Sequence, residues 1–308
     1  MNLSHLASFC QVIKSGSITQ ASRELHISQP ALSLQIQDLE KILQTKLLDR
    51  GNRGVAPTKS GQILFDYGTK ILNLAYNMQQ EIDNEKDGSL EELVVGASCT
   101  MGNFALPCSV YIFKETFIKH SITLDISNTK DVLEKLANGQ IKIGVIEGPL
   151  NNSLKEIINE NRLSHKKIAQ DELVIIAPYD ETWKEIHEIL PEELPKLNLI
   201  LREKGCGIRE TVEETFSKNG ININELNILL ELNSSNAIIS SVAAGKGISI
   251  LPKMSLRKEL RHRNLKAVKL QDITFKHHIH LLHTSTYPKD SLSSTFIGFL
   301  TSPARGFC

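Results

Sequence analysis

The chain has 308 residues, 41% hydrophobic and 23% charged, with 35 basic side chains against 35 acidic ones. That length suits two or three compact units, and a pI of 7.1 excludes a uniformly basic nucleic-acid coat, so any nucleic-acid surface must be local. No run of about 18 apolar residues is present, so no membrane span is expected.

Leu6, Phe9 and Ile13, with Val12 beside them, put an apolar stripe on a first helix. Residues 16–43 then hold two short helical patterns around a polar turn, His26-Ile27-Ser28. Ala21 and Leu25, four apart, share one face of the first. Ser28 is suited to cap the second, and Pro30 sits where a missing N–H is harmless. Leu32, Ile36, Leu39 and Leu43 make a buried stripe there, leaving Gln29, Ser33 and Gln37 on another face. Uncharged side chains that both donate and accept are what base edges in a major groove require. This is the helix-turn-helix plan, although an ordinary helical pair reads the same in isolation. The runs flanking Gly51-Asn52-Arg53-Gly54 predict a small hairpin with an arginine at its tip, a wing beside the recognition helix. Residues 1–70 carry eight Lys or Arg and five acids, an excess of three positive charges. Lys46, Arg50, Arg53 and Lys59 lie close together, as phosphate contact would need.

Thr58 predicts the N-cap of a long helix reaching about residue 85. Along it Leu64, Tyr67, Ile71, Leu74, Met78 and Ile82 step by threes and fours, a coiled-coil seam. One helix cannot cover its own seam, so either a second copy or the later part of the chain must do so. Asp87-Gly88-Ser89 reads as a linker. After it, strands are predicted at 93–97, 122–126, 141–146, 173–177, 199–201, 227–232 and 279–282, with an apolar run at 247–252. Helices are predicted from Phe104, over 131–137, from Ile208, from Ala237 and over 291–300. Such alternation predicts βαβ units and a parallel sheet. The five cysteines (10, 99, 108, 206 and 308) are odd in number and form no CxxC pair. They predict reduced thiols and, with no cation before Lys14 to start a leader, a cytoplasmic chain.

Leu6, Phe9, Val12, Gly16, Ser17, Thr19, Ala21, Leu25, Ser28-Gln29-Pro30-Ala31, Ser33, Gln35-Ile36, Leu39-Glu40, Leu43, Leu47, Arg50, Arg53, Thr58 and Gly61 form one spaced pattern. It resembles the DNA-binding motif of the LysR-type transcriptional regulators, departing from it at Ser22, Gln44, Leu48 and Pro57. The stretches VVGASCTMGNFALP, ISNTKDVLEKLANGQIKIGVIEGP, LREKGCGIRETVE and ELNSSNAIISSVAAGKGISILP resemble the effector domain of that family. They look closest to its regulators of carbon fixation and sulfur assimilation. The resemblance implies an N-terminal α winged helix-turn-helix at 1–58 and a linker and dimerisation helix at 59–88. It implies a C-terminal α/β two-lobed, periplasmic-binding-protein-like domain at 89–303, with lobe I at 89–163 and 271–303 and lobe II at 164–270. Promoter double-stranded DNA, a small-molecule effector and further copies in a homodimer or homotetramer are the implied partners. No cofactor and no membrane are implied. DNA contact falls to Ser28, Gln29, Pro30, Ser33, Gln37, Arg50, Arg53 and Lys59, and dimerisation to Leu64, Tyr67, Ile71, Leu74 and Met78.

In open α/β sheets, ligands bind at the carboxyl ends of strands. Ser98-Cys99-Thr100-Met101-Gly102 follows a strand and opens a helix, so N–H groups and hydroxyls can converge on an anion there, or simply cap the helix. Arg202 and the loop Lys204-Gly205-Cys206-Gly207 are expected to face it from the second lobe. Asn128, Thr129 and Glu147 join by resemblance alone. The expected effector is small, and anionic or sulfur-containing. Cys99 and Cys206 stand where hydroxyls are usual in the resembling regulators. A helix N-terminus lowers a thiol's pKa, so a redox- or reactive-sulfur-sensing regulator is the alternative to plain pocket lining. His277, His278, His280 and His283 read as half-exposed strand residues, and no metal is expected. No Ser-His-Asp order, HExxH, Walker loop or Rossmann fingerprint is present, so the chain is not read as an enzyme. A solute-binding protein with a helical N-terminus is the rival of another class.

Overall fold

A computed structural model describes residues 2–51, 54–87, 92–284 and 291–307. They form two compact units, one built on Met1–Ser89 and the other on Leu90–Ala137 and Ile141–Cys308.

In the first unit α1 (Leu3–Ser15), α2 (Ile18–Glu24) and α3 (Gln29–Leu43) precede a hairpin of β1 (Leu48–Gly51) and β2 (Gly54–Pro57), then the long α4 (Lys59–Asp87). Polar side chains start each helix. Ser17 Oγ accepts the Gln20 N–H and Ser28 Oγ the Ala31 N–H, both at 3.3 Å. Thr58 Oγ1 accepts the Gly61 N–H at 3.0 Å while its hydroxyl donates to the Lys46 carbonyl at 2.7 Å. Phe9, Val12, Ala21, Leu32, Ile36, Leu39 and Leu47 close over one core. The stripe of α3 ends a turn earlier than its spacing predicts, since Leu43 is 40% exposed. Gln44 carries the chain out of α3 in the left-handed conformation, φ 52°, where glycine is the usual residue. The hairpin is tied to the α1–α2 corner, where the Val55 N–H donates to the Gly16 carbonyl at 3.0 Å.

In the second unit β3 (Glu92–Ser98), α5 (Leu106–Thr116), β4 (Ser121–Ser127), α6 (Thr129–Ala137) and β5 (Ile143–Glu147) alternate as predicted, and α7 (Asn152–Glu160), an element not predicted, comes next. A long β6 (Ser164–Pro178) follows, then β7 (Glu188–Ile189), β8 (Leu199–Arg202), α8 (Gly207–Lys218), β9 (Ile228–Leu232) and α9 (Ser235–Ala243). The chain continues through β10 (Ser249–Pro252), α10 (Arg257–Arg261), β11 (Leu265–Leu270), β12 (Phe275–His283) and α11 (Leu292–Thr301). The sheet is mixed, which corrects the expectation of a parallel one. Its order is β4-β3-β5-β12-β6-β11-β7, with β10 also on β6 and a separate β8-β9 pair. β3 runs parallel to β4 and β5, whereas β12 lies antiparallel to both β5 and β6. The reason is that β6 and β12 run side by side between two cores. One core gathers Leu93, Val95, Ile143, Leu281 and Phe296, the other Leu173, Ile200, Ile208, Phe216 and Ile250. Cys10, Cys99 and Cys206 are free thiols, while Cys108 is disulfide-bonded, which corrects the reading of a wholly reduced chain. No described helix is long and apolar enough to cross a membrane.

Candidate functional site

The core holds α3 by its back. Behind it the Ser8 hydroxyl donates to Gln35 Oε1 at 2.6 Å. At the front Ser28, Gln29, Pro30 and Gln37 are exposed and Ser33 is half-buried. Glu40 accepts the Leu47 N–H at 2.9 Å and a proton of Lys46 Nζ at 3.0 Å, tying α3 to the start of the hairpin. Burial disfavours the Glu40 carboxylate, but these two donors outweigh it and hold the carboxyl below its ordinary range. Lys59 is exposed on the first turn of α4. Arg53 lies outside the described residues, as does the side chain of Arg50. Further along α4, Leu64 turns inward with Phe65 and Leu72 against the core, and Ile71 is half-buried. Tyr67, Leu74 and Met78 stay 66%, 64% and 57% exposed.

In the second unit Ser98, Ser127 and Glu147 end β3, β4 and β5, which are neighbours in the sheet. Their carboxyl ends therefore bring Ser98, Cys99, Thr100, Asn128, Thr129 and Glu147 to one edge. The Ser98 and Thr100 hydroxyls are buried there without a hydrogen-bond partner. Cys99 Sγ stands 3.6 Å from the Ser127 carbonyl, and Asn128 Oδ1 starts α6 by accepting the Asp131 N–H at 2.8 Å. The first residue of α8 meets this edge backbone to backbone. A Cβ on Gly207 would lie 2.0 Å from the Glu147 carbonyl oxygen, and one on Gly148 would lie 2.6 Å from Gly207. Beside this contact is a cleft of about 100 Å³ lined by Thr129, Lys130, Glu147, Asn151, Gly207 and Glu210. The N-terminal turns of α6, α7 and α8 surround it. Asn151 accepts the Leu154 N–H at 2.9 Å to start α7 and donates to Glu210 at 2.9 Å.

Arg202 is 2% exposed and largely committed. It donates to Glu203 at 2.8 and 3.0 Å, to Ser235 Oγ at 3.1 Å and to the Asn233 carbonyl at 3.3 Å. Burial opposes its charge, but the Glu203 carboxylate more than compensates and its pKa is raised. Both Cys99 and Cys206 lie within electrostatic reach of its guanidinium, so residues from distant strands do meet here. Burial pushes the Cys206 thiol up to about 12, with Glu147 and Glu203 adding to the shift and Arg202 opposing it. This corrects the expectation of a lowered thiol pKa at that helix N-terminus: desolvation outweighs the nearby positive charge.

His277, expected to be half-exposed, is only 1% exposed. Thr211 Oγ1 donates to the Gly207 carbonyl at 2.9 Å, so at 2.8 Å it accepts the His277 Nδ1–H. Nε2 is the ring edge presented to Glu147 Oε2, 3.5 Å away. The link runs from β5 through β12 to α8. On the opposite face of β12, His280 Nε2 donates to the Gly148 carbonyl at 3.1 Å, and its Nδ1 accepts from His165 Nε2 at 2.9 Å. Burial, helped by the nearby His165, lowers His280 to about 4 and keeps it neutral. The reading of these histidines as half-exposed is corrected for His277 and His280, because β12 is an inner strand covered on both faces. Among the described residues no group of three or more His, Cys, Asp or Glu could hold a metal ion.

Residues 3–62 match the family described as bacterial regulatory helix-turn-helix protein, lysR family, and residues 86–304 match the LysR substrate binding domain. The chain is similar to a "Probable RuBisCO transcriptional regulator" of Cyanidioschyzon merolae, 29% identical over 294 residues covering 96% of this chain and 95% of that one. Its fold is similar to CbnR complexed with its target DNA, with TM-score 0.69 and 22% identity over 97% of this chain and 99% of that chain. It is also similar to the regulatory domain of Synechocystis PCC6803 CcmR in complex with 2-PG, with TM-score 0.59 and 21% identity over 68% and 96% of the two chains.

Proposed function

This chain belongs to the LysR family of bacterial transcriptional regulators, and from that membership we propose how it reads DNA and what its effector domain senses. Residues 1–58 act as a winged helix-turn-helix, 59–88 as the linker and dimerisation helix, and 89–303 as the effector domain. Lobe I of that domain takes 89–163 and 271–303, and lobe II takes 164–270. Gln29, Ser33 and Gln37 meet base edges beside Ser28 and Pro30, Arg50 and Lys59 hold phosphates, and Arg53 at the wing tip enters a minor groove. The observation that carries this reading is the exposed front of α3 opposite the fully buried Leu32, Ile36 and Leu39.

The effector is a small anion. Three helix N-termini surround the cleft with Lys130 at its rim, and the unpartnered Ser98 and Thr100 hydroxyls lie at the same sheet edge. Glu147 and Glu210 favour an anion that also carries a hydrogen-bond donor. The similar CcmR regulatory domain was solved in complex with 2-PG, which supports a small ligand for this domain. Tyr67, Ile71, Leu74 and Met78 pair copies of α4 into a dimer, and dimers into a tetramer, while Leu64, also expected in the seam, packs into the core of its own unit. Effector shifts the population of lobe arrangements and so the spacing of DNA-binding units.

The test selects duplexes from a random library with the full chain and follows its melting with 2-PG as the probe. Enrichment of paired half-sites, lost in Gln29→Ala, and a rise in Tm are the expected results. A library that enriches nothing refutes the DNA reading. An unchanged Tm at millimolar 2-PG removes anions of that kind from the effector reading.

A further inference from the structure

The buried stripe of α3 consists of Leu32, Ile36 and Leu39, each at most 1% exposed. At about 100° per residue the line Pro30, Leu34, Gln37 and Lys41 points the opposite way. Leu34 is 60% exposed near the middle of that outward face, one turn after the exposed Pro30 and beside the exposed Gln37. It is not a member of the apolar cluster that closes the first unit. The other exposed large apolar side chains of α3, Ile42 and Leu43, sit in its last turn, while Pro30 and Ala31 are exposed in its first. An alkyl side chain at the front of a helix is out of place against water, and equally against most of a groove wall. Base edges are hydrogen-bonding groups that it would desolvate without replacing their partners. One group on the major-groove surface suits it, the C5-methyl of thymine.

We propose that Leu34 reads a thymine methyl, so that each half-site recognised by this chain carries a thymine at a fixed position. The proposal rests on the DNA reading above and deepens it. Duplex DNA, rather than an apolar protein partner, is favoured by the surroundings of Leu34. Its neighbours one turn away are Pro30, Ala31, Gln37 and Asp38, three of them uncharged, with Lys41 a further turn along the same face, and residues 1–70 carry three more cations than acids.

The natural promoter is not needed for the test. The full chain first selects its site from random duplexes, and each thymine of that site is then replaced singly by uracil, which removes only the methyl group. Affinities at one salt concentration are compared for wild type, Leu34→Ala, Leu34→Met and Gln29→Ala. One thymine per half-site should show about a fourfold loss with uracil in the wild type, the worth of one buried methyl group. Leu34→Ala should bind the thymine site about fourfold more weakly and no longer distinguish uracil from thymine. Leu34→Met should keep the distinction, whereas Gln29→Ala, which loses the site preference, should bind both duplexes weakly. A wild type indifferent to uracil everywhere, or a Leu34→Ala protein that keeps the uracil penalty, overturns the proposal while leaving DNA binding intact. Failure to select any site overturns the DNA reading and this proposal together. Unchanged melting of Leu34→Ala, expected for so exposed a residue, separates lost contact from lost fold.

Discussion

Replacing His280 with glutamine tests the buried histidine relay. In the folded chain His280 is lowered from 6.5 to about 4, first by burial and then by the charge of His165. The unfolded chain therefore takes up this proton first as the pH falls. Stability owed to the neutral ring is complete above about pH 6.5 and is lost as the pH drops toward 4. Each pKa unit is worth about 1.4 kcal/mol, which sets a ceiling of roughly 2.5 kcal/mol by about pH 4.5. His165 is exposed and admits water to one side of the pair, which reduces the expected loss to about 2 kcal/mol. Trp183 is the sole tryptophan and lies against the core of β8, α8 and β10, so its fluorescence in urea reports unfolding of the second unit. Between about pH 7.5 and 4.5 the wild type should lose about 2 kcal/mol more than His280→Gln. Glutamine can still donate to the Gly148 carbonyl, so the two proteins should differ little at neutral pH. Equal losses in both would refute a neutral, buried His280.

Gly207→Ala places a Cβ 2.0 Å from the Glu147 carbonyl oxygen, a backbone atom that cannot swing away. It should destabilise the second unit by about 1–3 kcal/mol in thermal melts, whereas Gly298→Ala, with nothing within 4 Å, should be neutral or stabilising. Gln44→Gly relieves a left-handed residue at the end of α3 and should stabilise the first unit by about 0.5–1 kcal/mol in circular dichroism melts, with DNA affinity unchanged. Ile71→Glu puts a charge in the α4 seam and should yield monomers by sedimentation that bind DNA at least tenfold more weakly. A wild type already monomeric at micromolar concentration would sink that assignment.

What could be read from the sequence was local. The stripe of Leu32, Ile36 and Leu39 and the caps Ser28 and Thr58 are encoded within a few residues of where they act, and each is found in place. Leu43 misled because it keeps the period of its helix while standing on the final turn, with Gln44 already leaving and the side chain 40% exposed. Most strands of the second unit were legible one by one, β7 and β11 excepted, but their order was not. β12 comes from the far end of the chain to lie between β5 and β6, and nothing near residues 275–283 announces two neighbours. The burial of His277 and His280 follows from that insertion, so it was unreadable for the same reason. Cys206 shows the same division. Its helix N-terminus is a local feature, whereas the neighbours that bury the thiol and reverse the shift come from elsewhere in the fold.

Three observations converge on the peptide that ends β5. Gly148 and Glu147 touch Gly207 with no side chain between them. His280 holds the Gly148 carbonyl from one face of β12, and from the other His277 stands between Glu147 and Thr211. The strand that crosses between the cores thus restrains both residues of the contact. A ligand can shift an equilibrium only by the difference in its affinity for the two states. One that sits among the first turns of α6, α7 and α8 keeps all its partners only while Gly207 stays on Glu147. On the effector reading proposed above, a few ligand atoms at that point would act on how Gly207 sits against Glu147, because no flexible side chain lies between the two backbones to absorb the movement.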